Sequence, residues 1–165
     1  TYAMTGWRLG WLICPPSLAS TAAALQEPVT SCASTIAQKA GEAALSGDQK
    51  QSRLFRDVYL RRRDVLVEEF GNTGRLALVP EGAFYALIDI EGTGLRSIDF
   101  AGDLLARRAT AVVPGITFGP SCDRYVRVAF TIADDALRDG LRRLRTHIED
   151  LTRTAAAVRS RDQRS

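Results

Sequence analysis

Two arginines stand where the surrounding residues give a charge no company. Arg8 lies in TGWRLGW between Gly6 and Gly10. Strand alternation there sends Trp7, Leu9, Trp11 and Ile13 to one face and Arg8, Gly10, Leu12 and Cys14 to the other. Burying a guanidinium unpaired costs on the order of several kcal/mol, so an anion is expected beside it. The flanking glycines would let a bulky group approach the backbone. A planar fork that never loses its charge suits a phosphate dianion. A salt bridge to a distant Asp or Glu would meet the same need, and the spacing leaves both open. Arg127 in RYVRVAF poses a related question, because Val126, Val128 and Phe130 take the core face and leave Arg127 beside Tyr125 and Ala129 on the other. A carboxylate is its natural partner, and a solvent-exposed strand arginine is the alternative. Residues 113–119, VPGITFG, run from a strand into a loop with two glycines and Phe118. Such loops often line ligand sites, although a plain turn with Phe118 as a core plug fits the same letters.

The remaining residue types argue against other chemistries. Cys14, Cys32 and Cys122 are far apart, without CxxC spacing or nearby His, so neither a disulfide framework nor a metal site is indicated. Each is expected to be a small buried or half-buried thiol. His147 is the sole histidine and lies among charges in an expected terminal helix, which suggests a surface position. The formal net charge of +3 invites an acidic partner such as nucleic acid, but the basic residues are scattered. Their densest run, Arg61-Arg62-Arg63, is interleaved with Asp57, Asp64, Glu68 and Glu69 and reads as a solvated helix face. No apolar run reaches the roughly 18 residues of a membrane span, and the first residues lack a signal-peptide pattern; a cytoplasmic location is expected.

The elements that must position these side chains can be read from periodicity. The 165 residues, 45% hydrophobic and 25% charged, suit one ordinary domain or a domain plus part of another. A strand is expected over residues 5–14, ended by Pro15 and Pro16. A helix should run from an N-cap at Ser17 to about Leu25, with Pro28 breaking the pattern. A second helix from about Ser34 carries a narrow stripe of small apolar residues and closes at Gly47. Residues 48–70 form the longest helical candidate, with Gly71 after it. Short strands are then expected at Leu76–Val79, Ala83–Ile90, Ala111–Val113 and Arg124–Thr131, with a helix over Ser97–Arg108. Leu137, Leu141, Leu144, Ile148 and Leu151 mark an amphipathic C-terminal helix. The pattern is mixed α/β, divided at about residue 50, with residues 159–165 expected as a disordered tail.

Five stretches now carry a resemblance: YAMTGWRLGW, TSCASTIAQKAGEAAL, PEGAFYALIDI, VVPGITFG and YVRVAFTIADDALRDGLRRL. Their order and approximate spacing resemble the C-terminal half of fold-type I, pyridoxal-phosphate-dependent aminotransferases of class I/II, over nearly the whole chain to about residue 151. The resemblance implies an α/β fold in which residues 1–50 are the last part of the large cofactor-binding domain. Residues 51–158 would be a small α+β domain, joined to it by a long helix. It implies that Arg8 binds the phosphate of pyridoxal 5'-phosphate and that Arg127 binds the α-carboxylate of the amino-acid or 2-oxo-acid substrate. The family's Schiff-base lysine would fall immediately before Thr1, so no catalytic residue is expected among these residues; Lys39 and Lys50 match no such position.

The remaining polar cofactor contacts would lie upstream. The implied parent is a cytoplasmic, homodimeric aminotransferase of amino acid metabolism, with the 165 residues inactive alone. A carbon–sulfur lyase or synthase of the same fold would use the same two arginines, and a non-catalytic truncated packing or dimerisation module is a further alternative. Dicarboxylate-specific relatives carry an Arg shortly before the segment matching Thr30-Ser31, where this chain reads Leu25-Gln26-Glu27-Pro28-Val29.

Overall fold

The computed structural model describes residues 1–162, which divide into two compact units, Thr1–Asp57 and the described residues from Val58 onward. The division falls inside the long helix expected to join two domains. In the N-terminal unit the expected strand over residues 5–14 does not form. Thr5–Trp7 make a single 3-10 turn, and the chain to Pro15 is irregular. The reason lies in pairing: a strand's N–H and C=O groups need a neighbour, and all three strands of the described residues belong to the other unit.

Helix α1 (Pro16–Thr30) starts with Pro16 in its first turn, where the missing N–H would have had no partner in any case. It runs through Pro28 instead of stopping near Leu25. Pro28 sits in the last turn, where its fixed φ is helical and only the bond to the carbonyl of Ala24 is lost. Helix α2 (Thr35–Ser46) begins after Ser34 and ends at Gly47, as the spacing predicts. Its small-residue face buries Ala37 and Gly41, and the bare Cα of Gly41 admits Leu9, which a Cβ there would strike. Ile36 and Leu45 of the expected stripe are exposed. Cys32, expected to be at least half-buried, is exposed because it lies in the bend between α1 and α2; Cys14 and Cys122 are half-buried.

Helix α3 (Lys50–Phe70) closes with the N–H of Gly71 on the carbonyl of Val67. It brings Val65, Leu66 and Phe70 into the core of the C-terminal unit. That core covers one face of a three-stranded antiparallel sheet in the order β1 (Tyr85–Asp89), β3 (Tyr125–Ala129), β2 (Val113–Pro114). Period two decides the faces. Ala86 and Ile88 of β1 and Val126 and Val128 of β3 point inward, while Tyr85, Leu87, Tyr125 and Arg127 share the opposite face. The expected strand at Leu76–Val79 shrinks to one bridge, Leu76 opposite Ile88, flanked by two backbone hydrogen bonds before the chain turns away toward Pro80, which has no N–H to offer.

Helix α4 (Ser97–Arg108) covers the core with Phe100 and Leu104. Helix α5 (Asp134–Asp162) contributes Leu137, Leu141, Leu144 and Ile148 at helical spacing. The expected tail therefore differs over residues 159–162, which continue α5 after the strong helix formers Ala155, Ala156 and Ala157. Residues 163–165 lie outside the described residues. No helix among the described residues is long and apolar enough to cross a membrane.

Two surface expectations also change. His147 is 3% exposed, because it flanks the leucine stripe of α5 on the side facing α4. There it meets the ring of Phe100 edge-on at 5.2 Å, and its Nε2 lies 3.2 Å from Asp103 Oδ2, out of line for a hydrogen bond. Burial pushes its pKa below the ordinary value, against the pull of Asp103. In the Arg61-Arg62-Arg63 run, Arg63 pairs with Asp64, but Arg61 and Arg62 both donate to Asp134 at the start of α5, at 2.8 and 3.1 Å. Those two bonds hold the Asp134 carboxyl below its usual range.

Candidate functional site

The open face of the sheet gathers the chemistry of the C-terminal unit. Register sets Leu87 directly opposite Arg127, with Tyr85 one diagonal step away. The Arg127 guanidinium carbon stands 4.2 Å from the centre of the Tyr85 ring and 4.9 Å from that of Phe118. Two aromatic rings thus meet the cation. Arg127 Nε is buried and has no hydrogen-bond partner among the described residues. A buried N–H left without an acceptor costs about 1–3 kcal/mol, more on a charged group, so the chain itself leaves this cation under-satisfied. Arg127 lines a cleft of about 450 Å³ with Tyr85, Leu87, Phe118, Pro80 and Glu81.

Phe118 owes its place to the loop after β2. Gly115–Phe118 form a 3-10 turn, and Pro120–Cys122 form a second. Gly115 has no room for a side chain, since a Cβ would overlap the carbonyl oxygens of Cys122 and Tyr125. The loop is tied to α4 by one buried hydroxyl: Ser97 Oγ donates to Asp123 Oδ1 at 2.6 Å and accepts from the N–H of Ile116 at 3.1 Å. Asp123 Oδ1 also accepts from the N–H of Ser97 at 3.1 Å, capping α4 from outside its own sequence. These bonds hold the Asp123 carboxyl below the usual carboxylate range, the Ser97 hydroxyl being the largest cause. At the far end of β3, Arg124 pairs with Asp89 and Glu91.

Arg8 belongs to the N-terminal unit and is exposed instead of buried on a strand face. It ends the Thr5–Trp7 turn in the left-handed conformation, φ 51° and ψ 42°, which non-glycine residues seldom occupy. Its side chain donates to the carbonyl of Thr5 at 3.2 Å, and the space at Gly6 and Gly10 is open. An exposed guanidinium with open backbone on both sides fits one contact of a phosphate dianion. Lys39, by contrast, is spent on Glu42 at 2.7 Å.

The sequence profile described as "Aminotransferase class I and II" matches residues 1–148. The chain belongs to this family.

Class I and II aminotransferases are pyridoxal-phosphate enzymes. Among relatives, a probable N-acetyl-LL-diaminopimelate aminotransferase of Bacillus subtilis is 35% identical over 87% of this chain and 37% of its own length. An arginine–pyruvate transaminase of Pseudomonas aeruginosa is 32% identical over the same shares. The aromatic aminotransferase of Pyrococcus horikoshii superposes with a TM-score of 0.80 at 32% identity, covering 93% of this chain and 41% of that one. The chain thus spans about two fifths of the length of these aminotransferases. Sequence reasoning singled out Arg8, Arg127 and Phe118; it missed Tyr85, Ser97 and Asp123. Tyr85 shares the outward face of Arg127, a signal that could have been used once β1 and β3 were taken as neighbours. The Ser97–Asp123 pair spans 26 positions and left no local mark.

Proposed function

We propose that the parent protein is an aminotransferase that moves an amino group between an amino acid and a 2-oxo acid, and that Arg127 holds the α-carboxylate of both. The observation that carries this reading is the Arg127 guanidinium lining the cleft between the rings of Tyr85 and Phe118. With rings against the guanidinium, its edge is the part left for a ligand. A carboxylate meets that edge with two parallel hydrogen bonds. Held so, the substrate presents its Cα in one orientation, which accounts for much of the rate such sites achieve.

Arg8 is assigned to the phosphate of pyridoxal 5'-phosphate, which when bound supplies the electron sink that makes the Cα proton removable. The relatives' names span diaminopimelate derivatives, arginine and aromatic amino acids. These donors share the α-carboxylate and differ in side chain, and Arg127 is assigned to the shared part. The parent is read as a cytoplasmic homodimer in amino acid metabolism, with residues 1–50 as the end of its large domain and 51–158 as its small one.

Replacing Arg127 by Leu in the full-length enzyme should lower kcat/KM for amino acid and oxo acid by about 100-fold, the equivalent of one charge-assisted hydrogen-bonded pair. An amine with the same side chain but no carboxylate should lose nothing; equal losses on both would overturn the assignment. Amino transfer should balance donor against acceptor without free ammonia, whereas pyruvate and ammonia release would point to a lyase. The 165 residues alone are inferred to be inactive, since neither Lys39 nor Lys50 falls at the position where the resemblance puts the Schiff-base lysine. Turnover of an amino donor and an oxo acid by the isolated chain would refute this.

A further inference from the structure

Phe118 is half exposed, on a 3-10 turn with no buried side chain of its own, yet it meets the guanidinium of Arg127 at 4.9 Å. Something other than its own burial must hold it there. The turn's first residue, Gly115, packs against backbone oxygens. Its second, Ile116, gives its N–H to the fully buried Ser97 hydroxyl, whose own proton goes to Asp123. Asp123 in turn ends the second 3-10 turn and leads, through Arg124, into β3, which carries Arg127. One hydroxyl and one carboxylate therefore fix both sides of the contact: the turn bearing the ring and the strand bearing the cation.

We propose that Ser97 and Asp123 are positioning residues for the anion site, acting through Ile116 to keep Phe118 against Arg127. The proposal deepens the assignment of Arg127 as the carboxylate ligand and rests on it for its functional meaning. Its mechanical content stands separately. Without the latch the turn would swing, Phe118 would leave the guanidinium, and Arg127 would gain rotamers that a carboxylate must then freeze out on binding. The side chain must be an acceptor at position 123 and both donor and acceptor at position 97, a requirement no apolar replacement meets.

The test compares Ser97→Ala, Asp123→Leu and Asp123→Asn in the 165-residue protein, with Phe118→Ala as the reference for an absent ring. The first readout needs no ligand: ring-current shifts of the Arg127 side-chain protons by NMR. Ser97→Ala and Asp123→Leu should move them to the Phe118→Ala value, while Asp123→Asn, whose amide oxygen can still accept both bonds, should keep them close to wild type. Wild-type shifts in Ser97→Ala and Asp123→Leu would overturn the latch. Should either variant fail to fold, Asp123→Ala, which removes both accepted bonds without adding bulk, replaces it with the same expectation. The second readout is binding of 3-phenylpropionate followed at Arg127 Nε–H, expected to weaken about fivefold in the broken variants. Absence of any Arg127-dependent binding by the wild-type protein, with the shifts behaving as expected, would sink the carboxylate assignment and leave the latch standing.

Discussion

Arg127 and His147 meet the same difficulty, a polar side chain amid apolar neighbours with a buried nitrogen lacking a hydrogen bond, and their chemistry resolves it differently. An arginine stays charged at any ordinary pH, so the Arg127 guanidinium keeps its charge and is met by the rings of Tyr85 and Phe118. A histidine can give up its proton, and burial against Phe100 pushes His147 toward the neutral form. The sign of the pH dependence follows. The unfolded chain takes up a proton near the ordinary value of 6.5, while the folded chain does so only at lower pH. Stability should therefore be complete above about pH 6.5 and decline as pH falls toward the folded value, because the unfolded state binds more protons across that window. Urea unfolding at pH 7.5, 6.0 and 5.0 should show this decline, and His147→Leu should flatten it. An unchanged slope in the variant would assign the decline to other groups.

The loop between β2 and β3 shows how an element can depend on a residue by what that residue lacks. At Gly115 a Cβ would run into the carbonyls of Cys122 and Tyr125, backbone atoms that cannot step aside without moving the Pro120–Cys122 turn and β3. Gly115→Ala should cost about 3 kcal/mol, at the upper end of overpacking effects, and should displace Phe118 from Arg127 as well. Thermal unfolding and the Arg127 proton shifts measure the two effects; a stability loss well under 1 kcal/mol would contradict the packing argument. This loop also marks the limit of what periodicity reveals. Helices α2, α3 and α4 and the inward faces of β1 and β3 were legible, because Ser34, Gly47 and Gly71 punctuate the helices and alternation sorts Val126 from Arg127. The face of Arg127 could be read from seven letters. Its aromatic partners could not, since Tyr85 and Phe118 reach it through strand register and a loop fastened by Ser97 and Asp123. The strand expected at residues 5–14 failed for the same reason: alternation describes a strand's faces but says nothing about a neighbour to pair with.

Over the chain as a whole, burial is shared out very unevenly. The C-terminal unit closes a continuous core around Phe70, Phe100, Phe130 and Leu144, all of them inaccessible or nearly so. Within residues 1–57 the buried positions are Ala37 and Gly41, while Trp11, Ile13, Leu25 and Val29 lie more than half exposed. Burying one Ala side chain returns less than about 1 kcal/mol, and each ordered residue costs roughly 1–2 kcal/mol of backbone entropy. Helices α1 and α2 therefore lean on their own backbone hydrogen bonds, and helices of 15 and 12 residues are marginal on that basis. Amide hydrogen exchange on the 165-residue chain should reflect this contrast. Protection in β1, β3 and the core-facing turns of α5 should approach the global unfolding limit, while α1 and α2 should exchange at least a hundredfold faster. A single common rate across both units would mean that they unfold together and that residues 1–57 draw stability from contacts other than their own small core. Partition into fast and slow classes with a boundary in α3 would instead mark Val58 onward as the self-sufficient body that carries Arg127.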